Sequence, residues 1–299
     1  MIFHVKGLSK FISIERGIML FMISMGATLL IQEKVALLQA VYFGVIGFCG
    51  WSGVDSINNI CDVDLDVKSD PDRAEYTKYL GRRGFYIFLF FAGLTMSLGL
   101  ITKIPLVTFF IALGILVGIL YSVPPIRLRQ TIFKPVVNFS VGAIPVLSVA
   151  ALYNVFSLDV IALVVLIGVT TAVNSLWEDL ADYVSDFESH ARTIPILMGF
   201  KRGFYLTILL GYLLVPLMIV VGVLFQLSVL YYAILSILVS YITLRVIQKL
   251  VLQKTFNDSQ TSMIALGETF AKDFALMAII QTTNLMVNSY LKNQLFFLF

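Results

Sequence analysis

Long apolar stretches alternate with short polar ones along almost the whole chain. Nine stretches, at 12–31, 35–57, 85–101, 104–121, 136–156, 158–177, 204–224, 227–247 and 270–290, are apolar almost throughout. A helix needs about 20 such residues to cross the hydrocarbon of a bilayer, whereas a membrane strand would show a period of two. The pattern predicts an all-α integral membrane protein, with nine transmembrane helices in one bundle over residues 1–299.

The polar positions assign the sides. If the nine helices thread alternately, 18 of the 21 Lys and Arg residues fall on one side, leaving Lys34, Lys103 and Lys292 on the other. Basic loops stay in the cytoplasm. The expectation is therefore a cytoplasmic N-terminus, a protein of the cell membrane, and a site at the cytoplasmic face. The long connections 58–84, 122–135, 178–203 and 248–269 all lie there, and connections of that length carry function more often than short turns do.

Composition agrees. Hydrophobic residues make up 59% of the chain and charged residues 13%, against about 25% charged in a soluble domain. A net charge of +3 gives no argument for a nucleic-acid partner. Cys49 and Cys61 make no disulfide framework, and His4 and His190 stand too far apart to suggest a zinc site.

The scarce acids are clustered, and the clusters repeat. Eleven of the 18 acidic residues fall within 62–75 and 178–188. Each cluster is followed by a basic-Arg-Gly-Phe-Tyr segment, at 82–86 and again at 201–205. The offset is 120 residues between Asp66 and Asp186 and 119 between Gly84 and Gly203. That match predicts two tandem four-helix pseudo-repeats, about 12–121 and 136–247, followed by a last helix at about 270–290.

Asn58, Asp62 and Asp66 are four residues apart, so a helix places them on one face. Asp182 and Asp186 repeat that spacing, with Asp179 three positions earlier. Like charges so placed repel one another unless they share a cation. An all-oxygen donor set without His or Cys suits Mg²⁺, which completes its shell with phosphate oxygens. The metal ligands expected are Asp62, Asp66, Asp179, Asp182 and Asp186, holding two Mg²⁺ ions. Arg16 lies inside an apolar span, and Arg73 and Arg192 follow the acidic motifs by seven and six positions. The segment from Tyr121 to Arg129 leaves its helix through two prolines, which aim Arg127 and Lys134 at the same face. These five basic residues, with Tyr121, are the expected diphosphate-binding residues.

At these residues the sequence resembles the UbiA superfamily of intramembrane prenyltransferases. Asn58, Asp62 and Asp66 match its first signature, with Pro71 and Arg73 as the downstream Pro-x-Arg. Asp179, Asp182 and Asp186 match the second, followed by Thr193, Pro195 and Gly199. One departure is Gly17-Ile-Met after Arg16, where many members have Asn or Pro. The Tyr-Ser-x-Pro-Pro-x-Arg segment resembles the branch that contains chlorophyll synthases and digeranylgeranylglyceryl phosphate synthases. The resemblance implies Mg²⁺-dependent transfer of a polyprenyl group from its diphosphate to a lipophilic or aromatic acceptor within the bilayer. Asn58, Asp62, Asp66, Asp182 and Asp186 would be the catalytic residues. The alternative from another class is a secondary transporter of a phosphorylated or anionic metabolite, since repeats and intramembrane charges also mark transporters. A CDP-alcohol phosphotransferase is disfavoured, because neither acidic stretch carries that family's Asp-Gly and Ala-Arg arrangement.

Overall fold

The computed structural model describes residues 2–32, 36–252 and 260–295, and among these the regular structure is helical throughout. The N-terminal segment forms α1 (Ile2–Phe11), followed by α2 (Ile14–Ile31), α3 (Leu37–Ser69) and α4 (Pro71–Leu80). Then come α5 (Arg82–Ile101), α6 (Pro105–Ser122), α7 (Lys134–Tyr153) and α8 (Leu158–Ala181). Short α9 (Tyr183–Glu188) and α10 (Ile194–Met198) lead into α11 (Phe200–Leu224), α12 (Val229–Val246) and α13 (Gln260–Leu295). Lys34 and Lys254, both used to assign sides, lie outside the described residues.

Helix starts follow local chemistry. Proline occupies the first turn of α4, α6, α7 and α10, where its missing N–H has no intrahelical partner to lose. Pro145 and Pro216 stand inside α7 and α11. Between α6 and α7 the chain turns through a cis Pro124–Pro125 bond and a left-handed Arg127 into one 3₁₀ turn, Leu128–Gln130.

Eight of the described helices, α2, α3, α5, α6, α7, α8, α11 and α12, are long and apolar enough to cross a membrane. The ninth predicted span lies within α13, which is long enough but more polar. Its amides Gln281, Asn284 and Asn288 face the protein. Asn284 and Asn288 are almost fully buried, Asn284 Nδ2 donates to the Tyr231 carbonyl over 3.1 Å, and Ser228 donates to Asn288.

The 58–84 and 178–203 regions, predicted as loops, are largely helical. α3 continues twelve residues past its predicted end at 57, and α8 four past 177. Basic partners offset the carboxylates along these extensions, so the helices need not stop where the charge begins. The central layer is built by α2, α3, α7 and α8, with α5 and α6 outside α3 and α11 outside α8. α13 closes the bundle between α2 and α8. Among the glycines, Gly267 comes nearest to a neighbouring backbone: a Cβ there would overlap the Leu180 carbonyl oxygen, so only glycine fits.

Candidate active site

The first acidic motif lies along the last three turns of α3, as its spacing predicted. Asp62 is fully buried and paired with both Arg127 and Arg129 from the turn after α6. One turn on, Asp66 Oδ1 accepts from Arg73 Nη2 over 2.7 Å. Arg73 sits in the first turn of α4, which Asp70 caps by accepting the Arg73 backbone N–H over 3.3 Å. Asn58 Oδ1 accepts from Ser122 Oγ over 3.2 Å, tying the motif to the end of α6.

The second motif is split by a helix end. Asp179 is fully buried on α8 and paired with Lys134, the first residue of α7. Asp182 is the residue on which α8 stops and α9 begins, and Asp186 lies one turn further, its N–H donating to the Asp182 carbonyl over 2.9 Å. Asp179 therefore does not share a continuous helix face with Asp182 and Asp186. Burial pushes the carboxyls of Asp66, Asp182 and Asp186 above their ordinary values, with nearby basic side chains pulling them back.

Arg129 joins the two motifs. It pairs with Asp62 and also feels the charges of Asp182, Asp186, Glu178 and Asp179. Burial nevertheless lowers its pKa from the ordinary value. Sequence reasoning selected Arg127 and Lys134 from this segment and passed over Arg129. Nothing local separates Arg127 from Arg129; their different reach is set by the turn.

Arg16, also expected to bind diphosphate, pairs with Glu178 over 2.8 Å. Both line a cleft with Trp51, Asp55, Asn58, Tyr121 and Asn138, enclosing about 430 Å³ of empty space. Trp51, Val54 and Val141 are shared with a deeper apolar chamber of about 650 Å³ between α2, α3, α6 and α7. A second apolar chamber of about 990 Å³ lies among α8, α11, α12 and α13, with Trp177 on its wall. Arg192 presents its side chain to solvent. Its backbone N–H donates to the Gln130 carbonyl over 2.9 Å, tying the second acidic segment to the turn that carries Arg129.

The donor set fits a hard cation. Asp66 Oδ2 and Asp179 Oδ2 are buried with no protein donor in reach, and such oxygens are costly unless a cation meets them. Among the described residues, no three acidic, His or Cys side chains converge on one point. Asp62, Asp66 and Asp179 are instead each met by a basic side chain, the arrangement expected where anion and cation ligands share one site.

Comparison with known proteins gives this arrangement its context. No curated protein sequence matches the chain. Among solved structures, one concerning digeranylgeranylglyceryl phosphate synthase in membranes is 17% identical, with a TM-score of 0.65 over 95% of this chain and 98% of that one. A UbiA homologue from Archaeoglobus fulgidus bound to GPP and Mg²⁺ is 13% identical, with a TM-score of 0.65 over 93% and 99%. An apo UbiA homologue from Aeropyrum pernix K1 is 17% identical, with a TM-score of 0.67 over 92% and 98%. At such identities the likeness concerns the fold. The sequence carries the rest: the UbiA prenyltransferase family model matches residues 19–267, which include both acidic motifs and Arg73, Arg127, Arg129 and Lys134. This chain belongs to the UbiA prenyltransferase family.

Proposed function

We propose that the protein transfers a prenyl group from its diphosphate, in the presence of Mg²⁺, to a lipophilic or aromatic acceptor, at a site on the cytoplasmic side of a nine-helix membrane bundle. The observation that carries this reading is the pairing of two buried acidic motifs with one basic set, directly above an apolar chamber. A soluble substrate has no use for such a chamber, and a diphosphate with a hydrocarbon tail uses both parts. The Archaeoglobus fulgidus homologue bound to GPP and Mg²⁺ supports the same pairing of ligands.

Asp62 and Asp66 from α3, with Asp179, Asp182 and Asp186 from the end of α8 and α9, would hold the metal, in two ions. When bound, Mg²⁺ offsets the diphosphate charge and makes it a better leaving group. The carboxylates of Asp62, Asp66 and Asp179 neutralise Arg73, Arg127, Arg129 and Lys134. With those carboxylates on a cation, the same basic side chains would be free to meet phosphate oxygens, which guanidinium groups bind bidentately. Asn58, whose amide oxygen accepts from Ser122, lines the adjoining cleft. Positive charge then develops on the allylic carbon, and the Trp51 and Tyr121 rings on the cleft wall offer faces to it. The tail lies in the 650 Å³ chamber, whose apolar wall excludes water from the reacting carbon. The matching placement of the two motifs supports the tandem repeat at about 12–121 and 136–247.

The test is product formation in detergent from a radiolabelled prenyl diphosphate and a panel of acceptors, with and without Mg²⁺. A transporter needs sealed vesicles and forms no product. Asp62→Asn and Asp182→Asn are expected to lose at least about 100-fold in transfer while remaining folded, since each removes a charged ligand from the reacting centre. Undiminished Mg²⁺-dependent activity in both would overturn the assignment.

A further inference from the structure

We infer that α1 is a strap that positions Arg73 in the diphosphate site, and that Lys10 is its positioning residue; this rests on the reading of the site given above. The N-terminal segment is fixed to the first motif's own helix. Asn59, the residue beside Asn58, donates from Nδ2 to the Phe11 carbonyl over 2.8 Å, and Ser13 donates to Asp55. Phe11, Ile12, Tyr76 and Leu80 form a buried cluster between α1 and α4, and a Cβ on Gly7 would overlap the Tyr76 ring. So α1 lies against α4 at a fixed height above the membrane end of α3.

Lys10 completes the link. Its Nζ lies 2.8 Å from Asp70 Oδ1 and 3.3 Å from Asp72 Oδ2. Asp70 is the cap of α4 and stands three residues before Arg73, while Asp66 stands seven before it. Arg73 is thus flanked by two carboxylates. With Lys10 holding Asp70, the guanidinium is left to Asp66 and hence to the site. Without Lys10, Asp70 competes for it, and the cationic end of Arg73 is drawn outward. Lys6 reaches only Asp72, at 3.3 Å, and so has no part in that competition.

The test measures binding of geranyl S-thiolodiphosphate with Mg²⁺ to the full chain in nanodiscs, by calorimetry. Lys10→Ala is expected to raise Kd about fivefold, the scale of one half-exposed ion pair. Lys10→Glu should weaken binding further, while Lys10→Arg and Lys6→Ala should stay close to the unaltered protein. The deciding arm is the double variant. In an Arg73→Ala background, Lys10→Ala should have no further effect on Kd. An equal loss in both backgrounds, or no loss in either, overturns the positioning role. If Arg73→Ala alone binds the analogue normally, the site reading fails first and the strap with it.

Discussion

The guanidinium of Arg16 lies 2.8 Å from the Glu178 carboxylate, joining two residues 162 positions apart across the cleft. α2 is thereby bound to the residue beside Asp179, and Asn174 holds the same Glu178 oxygen over 3.0 Å. Removing Arg16 leaves Glu178 charged without its main partner. Arg16→Ala is expected to cost about 0.5–1 kcal/mol of stability, the scale of a part-exposed ion pair. Thermal unfolding in detergent reads it, and the double variant Arg16→Ala/Glu178→Gln should recover most of the loss.

Arg129 faces both acidic motifs, whereas Arg127 faces one. Arg129→Ala should therefore weaken prenyl diphosphate binding more than Arg127→Ala does. The expected rise in KM is about 30-fold, equivalent to about 2 kcal/mol for truncating one partner of a buried charge pair. Steady-state kinetics on the two variants decide it. Equal effects would show that the bridge to the second motif does not matter for the diphosphate.

Chain length offers a separate check on the tail chamber. Gly50 lines it, and a Cβ there meets only Thr95 Cγ2, at an ordinary 3.5 Å. Gly50→Leu should therefore place its side chain in the chamber without displacing backbone. The kcat/KM ratio of a C20 to a C5 donor is expected to fall roughly tenfold. Gly211 lines the other chamber, with open space about its Cβ, and Gly211→Leu should leave that ratio unchanged.

At Gly267 α13 lies directly against the backbone of α8. Gly267→Ala would press a methyl against the Leu180 carbonyl, one residue from Asp179. Overpacking of this kind costs about 1–3 kcal/mol. A lowered Tm with a parallel loss of transfer is expected, because the end of α8 must move to relieve the clash.

The features legible in the sequence were those set by local periodicity. The apolar runs located the eight membrane-length helices, and four-residue spacing placed Asn58, Asp62 and Asp66 on one face of α3. What stayed hidden depends on distant partners. α3 runs to Ser69 because Arg73, Arg127 and Arg129 meet its carboxylates, and two of those three arrive from a turn more than 60 residues away. The Arg16–Glu178 pair was hidden for the same reason, its two residues standing 162 positions apart. Asp179 seemed to share a face with Asp182, but α8 ends between them, and no residue pattern in that stretch marks the break.

The inward-facing amides of α13 bear on how the protein is made. A segment carrying the buried Gln281, Asn284 and Asn288 would gain little from entering lipid alone, since each amide would need a partner there. Those partners, the Tyr231 carbonyl and the Ser228 hydroxyl, belong to the turn and first residues of α12. The last helix therefore depends on its predecessor for insertion. A substitution at Ser228 far from any chemistry would then show itself during biogenesis, as a chain whose final segment fails to integrate.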